Sequence, residues 1–137
     1  MKQWKIIIPA LLLIISSLIT SGYISDSQML EDITPKEAYE LIKNRSGDED
    51  FVILDVRTPE EFADGHIEGA IIIDFNSENF GDEIGKLNRN ATYLLYCRTA
   101  RRSSLALDIM EDLGFTEVYN MEGGIVRWEE EGYPVVK

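Results

Sequence analysis

The chain carries one cysteine and one histidine in 137 residues. A single cysteine excludes an intramolecular disulfide and any zinc site built on cysteine pairs. With one histidine, a metal site would have to rest on carboxylates, and no loop has calcium-type spacing. Neither a metal nor a cofactor is therefore expected. Basic residues are also scarce, 13 Lys and Arg against 25 Asp and Glu, for a formal net charge of -12. Phosphate backbones are gripped by Lys and Arg spread over a wide face, so nucleic acid is excluded as a partner. There is no internal repeat and no low-complexity stretch. The length fits one domain with an N-terminal extension, and an apolar content of 45% supports a core without disulfides.

What is present gathers around the lone thiol. Cys97 is followed by Arg98, Thr99, Ala100, Arg101, Arg102, Ser103 and Ser104, so three of the 13 basic residues lie within five positions of it. The apolar run Tyr93–Tyr96 before it reads as a buried strand, and Leu105–Met110 after it reads as a helix. A thiol on a strand-to-helix turn faces the amides and positive dipole end of the helix, and arginines add to that field. These conditions favour the nucleophilic thiolate. A free cysteine is more often a small buried hydrophobe. Such a filler would gain nothing from three arginines and two serines in the turn that follows it, so the reactive reading is preferred.

Taken in order, residues 1–24 read as a signal peptide or an N-terminal membrane anchor, with Lys2 and Lys5 ahead of an apolar run from Ile6 to Ile19. Thr20 and Gly22 offer small residues for cleavage, but no clear A-x-A site is present. No lysine or arginine follows until Lys36, so the positive-inside rule places the remainder outside the cytoplasmic membrane. Residues 25–31 read as a linker and 32–137 as the folded domain. Glu31–Ile33 is expected to enter as a short strand. Thr34-Pro35-Lys36-Glu37 and Thr58-Pro59-Glu60-Glu61 are capping boxes that start helices. Phe51–Val56 and Ala70–Ile73 are expected as buried strands, residues 76–87 as a short helix, and Thr92–Cys97 as the next strand. A helix is expected over about 101–113, then a strand over 117–121 and a helix over 125–131. Strands alternating with helices predict an α/β fold with a mostly parallel sheet, whose sites form beyond the carboxyl ends of strands.

Four stretches of this sequence, in this order, resemble a known family. They are Leu54-Asp55-Val56-Arg57-Thr58-Pro59-Glu60-Glu61-Phe62, Gly65-His66-Ile67-Glu68-Gly69-Ala70, Tyr96 through Ser103, and Glu122-Gly123-Gly124 with Trp128. Together they are similar to a single-domain rhodanese over roughly Asp32 to Val136. The resemblance implies a five-stranded, mostly parallel sheet flanked by helices on both faces. It implies that Cys97 carries a persulfide sulfur from a small anionic, thiosulfate-like donor to a thiophilic acceptor, either cyanide or a thiol, including a thioredoxin-like one. The backbone amides of Arg98, Thr99, Ala100, Arg101, Arg102 and Ser103 could then form a nest for the anionic sulfur. Arg102 would close the loop near its rim, Arg98 and Arg101 would attract the donor, and Thr99 and Ser103 would add hydroxyls. The family often has Gly where this chain has Ala100. If that position is left-handed, Ala costs on the order of 1 kcal/mol.

Asp55 and Arg57 are assigned to structural support, since buried charges occur in pairs. His66 is assigned to a turn away from the thiol, and Trp128 to the core. Two other readings stay open. One is an exported module that uses the fold only to bind a partner. The other is a related cysteine phosphatase or arsenate reductase, although Tyr96 stands where that motif has histidine and Arg102 falls one residue early. A monomer is expected, attached to the membrane if the N-terminal segment is retained.

Overall fold

The computed structural model describes residues 27–137. The expected signal or anchor at 1–24 lies outside the described residues. Among those described, no helix is long and apolar enough to cross a membrane.

Ten elements alternate along the chain. They are β1 (Met29–Ile33), α1 (Pro35–Asn44), β2 (Phe51–Asp55), α2 (Pro59–Asp64), β3 (Ile71–Ile72), α3 (Phe80–Gly85), β4 (Thr92–Tyr96), α4 (Arg101–Asp112), β5 (Glu117–Met121) and α5 (Gly124–Glu130). The strands form one sheet in the order β1-β5-β4-β2-β3. Every pairing within it is parallel, so the expected "mostly parallel" sheet is wholly parallel.

β4 lies at the centre and is buried at all five positions. Its side chains alternate between two cores. Tyr93 and Leu95 face a cluster with Phe80, Ile84, Ala106 and Met110 from α3 and α4. Leu94 and Tyr96 face the opposite cluster, with Ala38, Ile125 and Trp128 from α1 and α5. Continuous apolar sequence in β4 is thus the consequence of cover on both faces.

Local sequence starts α1 and α2 as expected. Thr34 and Thr58 accept from the amides of Glu37 and Glu61, whose carboxylates bond back to the threonine N–H groups. Proline occupies the first turn of both helices, where its missing N–H costs nothing. Beyond one-residue differences at the ends of β2, α4 and α5, four expectations shift. β1 begins at Met29, so the last residues assigned to the linker already pair with β5. β3 is two residues long and is not buried throughout, with Ile71 44% exposed, because it closes one edge of the sheet and pairs only with β2. α3 spans Phe80–Gly85 rather than 76–87. The residues before it are taken by turns, in which Asp74 and Ser77 side chains accept from the amides of Asn76 and Asn79. β4 stops at Tyr96, which leaves Cys97 as the first residue of the loop beyond the strand.

Candidate active site

Cys97 leaves the carboxyl end of the central strand and is 1% exposed. Arg98 and Thr99 are exposed, and α4 begins at Arg101. The intervening Ala100 has φ 79° and ψ -4°, and it is the one non-glycine with positive φ among the described residues. Left-handed backbone is what lets the chain turn from strand into helix within four residues. The backbone N–H groups of Arg98 through Ser103 donate to no backbone or side-chain acceptor among the described residues. Six consecutive open donors next to a thiol are the raw material of an anion nest.

The Ala100 carbonyl, in contrast, is heavily used. It accepts from the Ser104 amide at 3.0 Å, the Ser104 hydroxyl at 2.7 Å and the Ser103 hydroxyl at 3.2 Å. Ser103 therefore serves the loop itself. A left-handed alanine carries a steric cost of about 1–2 kcal/mol, against which glycine loses somewhat more chain entropy on folding. Ala100→Gly is expected to raise unfolding free energy by about 0.5–1 kcal/mol in urea titrations. A variant less stable than the parent would show that Ala100 is not strained.

The opposite side of the loop is held by α5. Gly123 and Gly124 both have positive φ, which frees the chain to bring its helix start against the loop. The amides of Ile125 and Val126 donate to the carbonyls of Cys97 (2.9 Å) and Arg98 (3.2 Å). A Cβ on Gly124 would lie 2.5 Å from the Cys97 oxygen and nearer still to the Arg98 oxygen. The first turn of α5 and the loop backbone are thus in direct contact.

Arg102 does lie at the rim, but its guanidinium is already engaged. Nη1 and Nη2 donate to the two carboxylate oxygens of Glu61 at 2.7 and 2.8 Å. The same carboxylate completes the capping box of α2. Hydrogen bonds from Arg102, then those at Thr58, outweigh burial and hold the Glu61 carboxyl at about 2. In return the Glu61 hydrogen bonds raise the Arg102 guanidinium, with smaller contributions from Cys97 and Asp55. This link, 41 residues apart in sequence, was missed in the sequence because Glu61 already had a local job as a cap. Nothing in the sequence marks a second partner for a carboxylate already used by the cap. Arg98 and Arg101 have no ion pair among the described residues.

Beneath the loop, Asp55 (0% exposed) and Arg57 (5%) form a buried pair. The Arg57 amide, Nε and Nη2 donate to the Asp55 carboxylate, and Nη2 also reaches the Gly65 carbonyl at 2.7 Å. Burial opposes the Arg57 charge, and the hydrogen bonds and charge of Asp55 more than offset it, so the guanidinium is raised overall. Burial, followed by the Asp55 charge, likewise pushes the Tyr96 hydroxyl up. That hydroxyl accepts from the Ile67 amide. His66 stacks on Phe62 and its Nδ1 is bonded to the Phe62 carbonyl. Trp128 is buried with Nε1 donating to Pro134.

Phe75, Asn76, Cys97, Arg98, Thr99, Arg101, Arg102 and Leu105 line a cleft of about 390 Å³. Asp55, Arg57 and His66 do not line it. Phe75, Asn76 and Leu105 join the site through the fold, without a sequence signal. A larger groove of about 530 Å³ runs between β1 and α1, but its polar lining is mainly Glu31, Glu37 and Glu40, and it holds no nucleophile. The chemistry therefore selects the smaller cleft, where a thiol, open amides and two unpaired arginines converge. No cluster able to hold a metal occurs among the described residues.

Comparison with known proteins agrees with this geometry. Residues 29–131 match the family profile described as "Rhodanese-like domain". The thiosulfate sulfurtransferase GlpE of Pseudomonas putida is 35% identical over 96 residues, covering 70% of this chain and 82% of that protein. A probable adenylyltransferase/sulfurtransferase, MoeZ, of Mycobacterium tuberculosis is 36% identical over 102 residues, or 74% of this chain, which spans only 25% of MoeZ. Among solved structures, a rhodanese-related protein from Thermoplasma volcanium superposes with a TM-score of 0.67 at 34% identity, over 77% of this chain and 97% of the other. With sequence profile, relatives and fold in agreement over the segment that builds the Cys97 loop, the chain belongs to the rhodanese-like domain family.

Proposed function

We propose that this protein is a sulfurtransferase that moves sulfane sulfur from a small anionic donor to a thiophilic acceptor through a persulfide on Cys97. The observation that carries the reading is the loop itself: six open amides following a lone thiol, in a cleft rimmed by the unpaired Arg98 and Arg101. With thiosulfate as donor, the Cys97 thiolate attacks the outer sulfur. A sulfur–sulfur bond forms to Cys97 while the bond to the sulfonate breaks, and sulfite leaves with the electron pair. Cyanide or a thiolate then attacks the terminal persulfide sulfur and releases the Cys97 thiolate, forming thiocyanate or an acceptor persulfide. No general base is needed when the nucleophile starts as thiolate. The resting persulfide is an anion, which the amides from Arg98 to Ser103 stabilise by hydrogen bonds at fixed positions.

Arg98 and Arg101 draw the donor into the cleft, while Arg102 is held by Glu61 and sets the loop edge. That commitment weighs against a phosphatase or arsenate reductase, which needs the loop arginine free for a tetrahedral oxyanion. Retention of the cysteine weighs against a purely partner-binding module. The charge pattern of the N-terminal segment, with both early lysines ahead of the apolar run, supports action outside the cytoplasmic membrane.

The test is the intact mass of the full chain after incubation with thiosulfate, beside Cys97→Ser. A gain of about 32 Da, one sulfur, lost on adding cyanide and absent from the variant, is the expected result. No gain with thiosulfate, mercaptopyruvate or polysulfide overturns the proposal.

A further inference from the structure

We infer that Asn120, a β5 residue outside the loop and the cleft, is a positioning residue for the Cys97 loop. It acts through Ser104 on the carbonyl of the strained Ala100. The inference deepens the sulfurtransferase reading and rests on the same site.

Asn120 is 1% exposed, and its Oδ1 has no hydrogen-bond partner among the described residues. A buried amide oxygen left unpaired is destabilising, and an apolar residue would avoid it. What the asparagine supplies is its Nδ2, whose two hydrogens are both used. One goes to Asp32 Oδ1 at 2.8 Å and the other to Ser104 Oγ at 3.2 Å. Ser104 Oγ passes its own hydrogen to the Ala100 carbonyl at 2.7 Å. The chain of bonds therefore runs from a carboxylate on β1, through β5, into the first turn of α4, and ends on the peptide that turns the loop.

Each link has a reason to be where it is. Asp32 and Asn120 are register partners in the β1–β5 pairing, so the sheet fixes their separation. The carboxylate polarises the amide, and successive bonds of this kind strengthen one another. Left-handed alanine persists only where the surroundings over-determine it. The Ala100 peptide lies in the middle of the open amides, so its tilt sets where they aim. Strand β5 then continues into Gly123 and Gly124, whose helix holds the Cys97 and Arg98 carbonyls from the other side. One strand thus sets both sides of the loop.

The test exploits the lone cysteine. The full chain is alkylated with iodoacetate (an anion) and with iodoacetamide (neutral), and the ratio of the two rates at Cys97 is read by mass and compared with that of glutathione. In the parent the loop favours the anion, and the ratio exceeds that of glutathione. Ser104→Ala, at an exposed position that does not threaten folding, and Asn120→Ala are each expected to lower the ratio by about 3–10-fold. The double variant should be no worse than either alone, since both break one relay. Asp32→Ala, further from the loop, should move the ratio in the same direction by less. Unfolded molecules would react with the ratio of glutathione, so the rates are compared in buffer where circular dichroism and a urea titration show each variant fully folded. A lowered ratio then reports the folded loop. Single variants with the parent's ratio, or effects that multiply in the double variant, overturn the inference. If the coupled pattern holds while thiosulfate adds no sulfur to the parent, the relay stands and it is the sulfurtransferase reading that fails.

Discussion

Gly124→Ala is expected to cut the rate of sulfur transfer by at least about 100-fold, because a displacement near 1 Å at a reacting group is enough to do so. The added methyl group would meet the carbonyls of Arg98 and Cys97, and these are backbone atoms that no rotamer change can move aside. Gly124 also has φ +59°, so the alanine would be strained even in open space. The loop has to retreat from α5, and the Ile125 and Val126 amides then lose the carbonyls they hold. Gly132→Ala is the control, since its φ of +86° imposes comparable strain and nothing lies within 4 Å of the new methyl. Both variants lose about 1–3 kcal/mol of stability from the backbone. Only Gly124→Ala should lose turnover per folded molecule. Equal activity in the two would mean that contact with α5 does not set the loop.

The elements that sequence revealed are those whose causes are local. Both capping boxes act within four residues, and both are formed as expected. β4 was legible because burial on two faces leaves a continuous apolar run. The strand at Ala70–Ile73 was legible too, but its shortness and edge position were not, since the run has the same composition whether or not a second neighbour covers it. The site divides the same way. Cys97 and its arginines are contiguous in sequence, so the loop could be found from charge and spacing alone. The left-handed turn at Ala100 was only implied by resemblance, because alanine carries no local mark of positive φ. Glu61, Asn120 and Gly124 were invisible as parts of the site. Each reaches it from another element, through contacts that only the sheet order creates.

Arg57→Met is expected to destabilise the domain by about 3–5 kcal/mol, the usual result of removing one partner from a buried ion pair. Natural domains have only about 5–15 kcal/mol in total, so the midpoint of thermal unfolding should fall by roughly 15–25 °C. The cause is the carboxylate left behind. Asp55 is fully buried, and most of the donors it accepts from belong to the Arg57 side chain. The Gly65 carbonyl would lose its donor as well. The double variant Asp55→Leu/Arg57→Met removes the stranded charge and should recover a large part of that loss. It also separates bracing from chemistry. Asp55 is the register partner of Tyr96, one residue before the thiol, so the sheet itself raises the alternative that it acts as an acid. Neither residue of the pair lines the cleft, however. A brace predicts that the double variant, once folded, keeps turnover within a fewfold of the parent. A catalytic acid predicts that turnover collapses even where stability returns. Arg57→Met unfolding within about 1 kcal/mol of the parent would show that the pair is not the buried strut the geometry describes.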